Sequence, residues 1–240
     1  MSMLDAHLRS GPQMLQYETL ADDFARRNPG RVLDWGCGYG QVTRLLRERG
    51  IEVVPFDYRA ELSEPTVEPL ERFPEISAHY SPDPVALPFE DASFDTVLSC
   101  GVLEHVEQPD ASLDEIRRVL KPGGTFYVTN LPNRYSYTER LARLLGRYYH
   151  GQLPNDRVYT KRSARDLLSR HGFAVQELRR VHMLPLTVGG PARPIWAASR
   201  VLERIAGLNV VATSLELSAT TAADTRERAA TASERTRIAP

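Results

Sequence analysis

Asp34 stands where a carboxylate is costly. It is the acid inside the apolar run "VLDW", and an unpaired charge in such a strand needs a cation or backbone N–H groups beside it. Gly36, Cys37, Gly38 and Gly40 follow at once, and then the amphipathic stretch "QVTRLLRERG". A strand that breaks into glycines before a helix lets a ligand approach the backbone closely. The amino group of an amino-acid-like ligand would serve Asp34. Asp57 ends the next apolar run, "EVVPFD", about 20 residues after the turn, where an acid can take both hydroxyls of a ribose. Its other reading is a helix N-cap. His105, in "GVLEHVEQ", carries an imidazole, a group that titrates near neutrality and can take a proton from a reacting hydroxyl.

The glycine spacing narrows the ligand. A dinucleotide cradle wants G-x-G-x-x-G, and its third glycine is replaced here by Gln41. A P-loop wants a Lys-Ser/Thr pair, which is absent. The turn therefore admits a ligand without being built as a pyrophosphate cradle, and nicotinamide-dependent oxidation is disfavoured.

The elements that must position these residues alternate. A helix over 12–27 precedes the strand "RVLDW", 31–35. The helix from Gln41 stops at Gly50, and the second strand follows. Prolines 65, 69, 74, 82 and 84 make the next crossover irregular. "SFDTVLSC", "SLDEIRRVL", the turn "KPGG" and "TFYVTNL" continue as strand, helix, turn and strand. "SARDLLSRHG" and "FAVQELRRVHM" resume the pattern, "PIWAASRVLERIAG" is a further helix, and "NVVATSLEL" closes as a strand. Such alternation argues for an α/β fold with a doubly wound parallel sheet. One domain over 1–218 is expected, with cap insertions at about 133–160 and 184–208. The stretch 219–240 has little to bury and reads as a disordered tail.

Composition sets outer bounds. The 240 residues have a formal net charge of −1 and are 42% hydrophobic and 25% charged, ordinary for a globular chain. Near-neutral charge gives no footprint for nucleic acid. Cys37 and Cys100 have no metal-ligand or disulfide spacing, so a reducing compartment is expected. No apolar run approaches a membrane span or a secretory h-region, and the expectation is a cytoplasmic protein. The oligomeric state is not legible.

The segment "SPDPVALPFEDASFDTVLSCGVLEHV" resembles the class I S-adenosylmethionine-dependent methyltransferases, in the broad group of small-molecule and quinone-biosynthesis enzymes. "VLDWGCGYG" is similar to their first motif, and "RVLKPGG" to the turn before their fifth strand. The resemblance covers roughly 30–130, with 160–182 as the family's "LL…GF" unit. It implies a Rossmann-like, mostly parallel seven-stranded sheet with helices on both faces. It implies S-adenosylmethionine as cofactor, with S-adenosylhomocysteine as product. Asp34 and the turn with Gly36, Cys37, Gly38 and Gly40 would hold the methionine part, Asp57 the ribose, and Tyr58 would pack on the adenine. Asp83 would reach the adenine amino group. The residue after that acid often offers its N–H in the family, and here it is Pro84, which has none. Either that contact is lost, Val85 supplies it, or Asp83 is not the equivalent acid. Cys100 would pass close to the transferred methyl.

The resemblance also implies a direct, in-line methyl transfer to a small molecule, with O-methylation the leading expectation and His105 as base. The matching histidine serves so in some relatives and only shapes the pocket in others. Alternatives are N-methylation of a small amine such as an amino sugar, or a catalytically inactive partner or cofactor-sensing module. Glu104 suggests the E-x-x-E-H metal motif of some relatives, but Gly101 replaces its first acid, so no metal is expected. Tyr17 would belong to an N-terminal helix closing over the cofactor.

Between 134 and 165, Arg134, Arg140, Arg143, Arg147, Arg157, Lys161, Arg162 and Arg165 face only Glu139 and Asp156, with tyrosines 135, 137, 148, 149 and 159 interleaved. This cap either meets an anionic or amphiphilic substrate or a membrane surface, or packs on the core behind a solvated arginine face. Tyr135, His150 and Tyr159 are its candidate substrate residues, and His150 and Asp156 could enter the pocket.

Overall fold

The computed structural model describes residues 11–144, 146, 155–184, 191–205 and 207–221. Its strands are β1 (Val32–Trp35), β2 (Val53–Tyr58), β3 (Thr66–Pro69), β4 (Ser77–Ser81), β5 (Phe94–Cys100), β6 (Leu120–Pro132), β7 (Phe173–Val181) and β8 (Ser214–Thr221). Its α-helices are α1 (Gly11–Arg27), α2 (Gln41–Arg47), α3 (Pro109–Val119), α4 (Tyr137–Leu144), α5 (Lys161–Arg170) and α6 (Ala192–Glu203).

One mixed sheet runs in the order β3-β4-β2-β1-β5-β6-β8-β7. The pairs β1–β2, β1–β5, β2–β4 and β5–β6 are parallel. β8 lies antiparallel between β6 and β7. The chain leaves β1 in one direction and returns on its other side as β5. That reversal opens a crevice at the carboxyl ends of β1 and β5, where doubly wound sheets bind ligands.

Alternation along the strands splits the core into two layers. Leu33, Trp35, Val97, Phe126 and Val128 face Leu113, Ile116 and Val119 of α3 and Leu167 and Leu168 of α5. Val32, Leu98 and Tyr127 face the other way, onto Leu20 and Phe24 of α1 and Val42, Leu45 and Leu46 of α2.

The sheet differs from the expected seven strands by one. β3 forms an antiparallel hairpin with β4 inside the proline-rich crossover. Pro69 ends it, and an edge strand tolerates a proline because one side of its backbone needs no ladder bond. The closing strand is also shifted. "NVV" is part of the 3-10 turn Leu208–Val211, and β8 runs on to Thr221. Residues 219–221 therefore belong to the sheet and not to a tail: Ala219 is fully buried and pairs with Phe126 and Val175. A small side chain is what lets β8 lie close between two neighbours. Residues 222–240 lie outside the described residues.

Candidate active site

The crevice is built from strand ends. Asp34, in β1, is buried to 1% exposure, and its Oδ2 accepts the Thr43 hydroxyl from the first turn of α2 at 2.5 Å. Thr43 supplies a backbone hydrogen bond as well. Burial still dominates, and with the nearby Asp57 charge it pushes the Asp34 carboxyl up to about 6. This is a carboxylate that gains from a cation.

The turn after β1 is pinned from below. The N–H groups of Gly36 and Cys37 both donate to Phe56 O at 2.9 Å. Gly36, Gly38 and Gly40 all have positive φ, but for different neighbours. A Cβ on Gly40 would meet Leu70 at 2.3 Å, while one on Gly38 would meet nothing within 4 Å. Gly40 serves packing; Gly38 borders open space. Cys37 turns away, into the cluster of Leu70, Ile76, Ala78 and Tyr80, so its thiol is a core group, pushed up by burial.

Asp57 closes the other side. Its Oδ2 accepts the Gly38 N–H and its Oδ1 the Tyr58 N–H, both at 2.8 Å. No helix starts there; the chain turns, with Leu62 N donating to Arg59 O, so the N-cap reading falls. Each carboxylate oxygen keeps a further lone pair, and burial raises this carboxyl too. Tyr58, 49% exposed, offers a ring face beside it.

Asp83 holds its own turn together. It is exposed, and its Oδ1 accepts the N–H groups of Val85 and Ala86, both at 2.8 Å. The Val85 N–H is thereby occupied within the turn.

Cys100 ends β5, 3.6 Å from Asn130 Nδ2. Tyr17 of α1 packs beside it, and burial together with the Cys100 and Asp34 charges raises the phenol. A buried amide cluster continues from there. Gln13 Nε2 donates to Gln16 Oε1 at 2.6 Å, Gln16 Nε2 donates to Asn130 Oδ1 at 2.6 Å and also lies 3.0 Å from His182 Nε2. Asn130 and His182 both take positive φ. Sequence reasoning passed over Gln13, Gln16, Asn130 and His182. The signal was there: polar side chains on the apolar face of a helix and inside apolar strands.

His105 follows β5. Its Nδ1 lies 2.7 Å from Asp156 Oδ1 and its Nε2 3.8 Å from Glu104 Oε1. Arg157 delivers Asp156 there: its N–H donates to Glu104 O at 2.9 Å and its guanidinium to the carbonyls of Val106 and Glu107. Glu104 is 2% exposed, its Oε2 has no hydrogen-bond partner among the described residues, and burial, then the Asp156 charge, push it up to about 8.

The cap residues divide. Tyr135 is 40% exposed, just before α4. Tyr159, expected to face substrate, lies instead at 6% exposure in the main core. Its backbone pairs with Pro132 and Arg134, which draws the ring under the sheet end, where its hydroxyl reaches Leu103 O at 3.5 Å. Burial pushes that phenol up to about 12. His150 lies outside the described residues.

Residues 33–128 match the family model described as a methyltransferase domain. The chain is 34% identical over 125 residues to a probable S-adenosylmethionine-dependent methyltransferase of Mycolicibacterium smegmatis, covering 51% of this chain and 46% of that protein. It is 32% identical over 132 residues to a malonyl-[acyl-carrier protein] O-methyltransferase of Enterobacter lignolyticus, covering 51% of each. The chain spans about half the length of the curated relatives it matches. The fold is similar to that of the Burkholderia thailandensis 1,6-didemethyltoxoflavin-N1-methyltransferase, a structure with bound 1,6-didemethyltoxoflavin and S-adenosylhomocysteine, with a TM-score of 0.54 and 21% identity over 87% of this chain and 78% of that one.

Proposed function

We propose, from the premise that residues 33–128 are a methyltransferase domain of the class I S-adenosylmethionine-dependent family, that this protein methylates a small molecule at oxygen. The observation that carries the reading is the pair of buried-side carboxylates, Asp34 and Asp57, around a turn whose Gly38 faces open space. These residues fit the cofactor. Asp34 lacks a cationic partner among the described residues and would take the ammonium group. Asp57 keeps lone pairs for the ribose hydroxyls, and Tyr58 would cover the adenine. S-adenosylmethionine, when bound, supplies an electrophilic methyl on a sulfonium.

The rest falls to the chain itself. Transfer to an alcohol or phenol needs a base, and much of the rate comes from alignment. A carboxylate oxygen can only accept, so Asp156 fixes the proton on His105 Nδ1 and leaves Nε2 bare. Nε2 then takes the hydroxyl proton as the oxygen attacks. Tyr17 and Cys100 wall the transfer point, and α1 covers it from water.

Calorimetry tests the reading. Wild-type protein should bind S-adenosylmethionine and S-adenosylhomocysteine in the micromolar range and not bind NAD, with Asp57→Ala weakening both sulfur ligands about tenfold or more. Binding of NAD instead, or unchanged affinity in Asp57→Ala, would overturn the cofactor assignment.

A further inference from the structure

A cavity of about 300 Å³ opens beside α4, lined by Arg134, Glu139, Arg140, Arg143 and Val158. Arginine is abundant here, so its mere presence means little. Its pairing means more. Arg26, Arg44, Arg49, Arg59, Arg118, Arg170, Arg179 and Arg200 each sit with a carboxylate. Arg134, Arg140 and Arg143, like Arg47, Arg117 and Arg165, form no ion pair among the described residues; what sets the three apart is that they line one concavity. Among the described residues the lining holds three guanidiniums and one carboxylate, that of Glu139, so basic groups outnumber acidic ones there. A planar guanidinium matches phosphate oxygens two at a time, and a phosphate monoester is a multiply charged anion suited to several of them at once.

The cavity is also tied to the proposed base. Val158 lies two residues from Asp156, which holds His105, so the backbone positions are at most about 7 Å apart. Arg134 is fixed to the same segment, its N–H donating to Tyr159 O at 2.8 Å. An ion in the cavity and a hydroxyl at His105 would be held from one short stretch of chain.

We infer that this cavity is an anion subsite and that the methyl acceptor carries a phosphate group seated in it. The identification of the bound molecule as acceptor rests on the methyltransferase reading; the subsite itself does not.

Inorganic phosphate is the probe. It is titrated at constant ionic strength into the full chain with and without S-adenosylhomocysteine, beside the double variant Arg140→Gln/Arg143→Gln and the single variant Arg134→Gln. Arg140 and Arg143 are exposed helix positions, and unchanged melting of the double variant verifies folding. Wild type should bind phosphate saturably, and each variant should weaken it about tenfold or more, while S-adenosylhomocysteine affinity stays the same. No saturable phosphate binding, or equal affinity in the double variant, overturns the subsite. So does arginine-dependent sedimentation with phosphatidylglycerol vesicles that phosphate does not compete away, which would give these arginines to a lipid surface. Wild type that binds S-adenosylhomocysteine but no phosphate sinks this inference alone; wild type that binds phosphate but no S-adenosylhomocysteine sinks the methyltransferase reading alone.

Discussion

Asp156 and His105, 51 residues apart in the chain, meet at 2.7 Å through Oδ1 and Nδ1. The aspartate comes from the cap and the histidine from the loop after β5, so the proposed base is assembled from both parts of the molecule. His105→Ala should lower turnover by about 10²-fold or more and leave S-adenosylhomocysteine affinity unchanged. Asp156→Asn, which can hold the wrong tautomer, should lower turnover by a smaller factor and shift the pH–rate profile. Near-normal turnover in His105→Ala would reduce the histidine to a pocket wall.

Asp34 should give opposite signs for stability and binding. Its folded carboxyl is raised from 3.8 to about 6, so ionising it costs the folded state. The cost is absent below the unfolded value, grows as pH rises through the window, and is full above about 6, at about 3 kcal/mol. Asp34→Asn should therefore melt higher than wild type at pH 7 and bind S-adenosylhomocysteine about tenfold or more weakly. Wild-type affinity should itself fall as pH drops below 6. A variant that melts lower and binds normally would refute this role.

Glu104 makes a pH-resolved prediction. Raised from 4.5 to about 8, it favours the folded state when protonated, and that advantage is lost as pH climbs through the window. The stability of Glu104→Gln relative to wild type should therefore increase between pH 5 and pH 9, by up to about 5 kcal/mol. Denaturant melts at the two pH values measure it; a flat difference would mean that Glu104 finds a counter-charge in solution.

The closing strand separates two truncations. A chain ended after Ser218 loses Ala219 from the core and the Thr221 hydroxyl bond to Lys121 O at 3.1 Å. It should melt lower by about 5 °C or more than a chain ended after Thr221. Equal melting would show that the pairings of β8 with Phe126 and Phe173 add nothing.

What the sequence made legible was local. Asp34, the glycine turn and Asp57 lie within one strand-turn-helix-strand unit, and their types and spacing already point to a turn that admits a ligand. β3 was hidden because prolines read as irregularity, and only the pairing with β4 makes Thr66–Pro69 a strand. Tyr159 looked like a substrate aromatic among basic residues, and its burial follows from backbone bonds to Pro132 and Arg134 that no periodicity encodes. Asp156 was placed in the cap, but its partner came only with the fold. Asn130 and His182 depend on left-handed backbone that, for histidine above all, composition does not announce.

The buried amides of Gln13 and Gln16 fasten α1 to Asn130 and His182. Such a helix resists partial lifting, since each half-open state strands amides without water or partner. Opening, where it occurs, should then be close to all-or-none. On the proposed function, spent cofactor should leave no faster than the helix releases, so its residence time should follow an uncharged latch of buried amides and an imidazole.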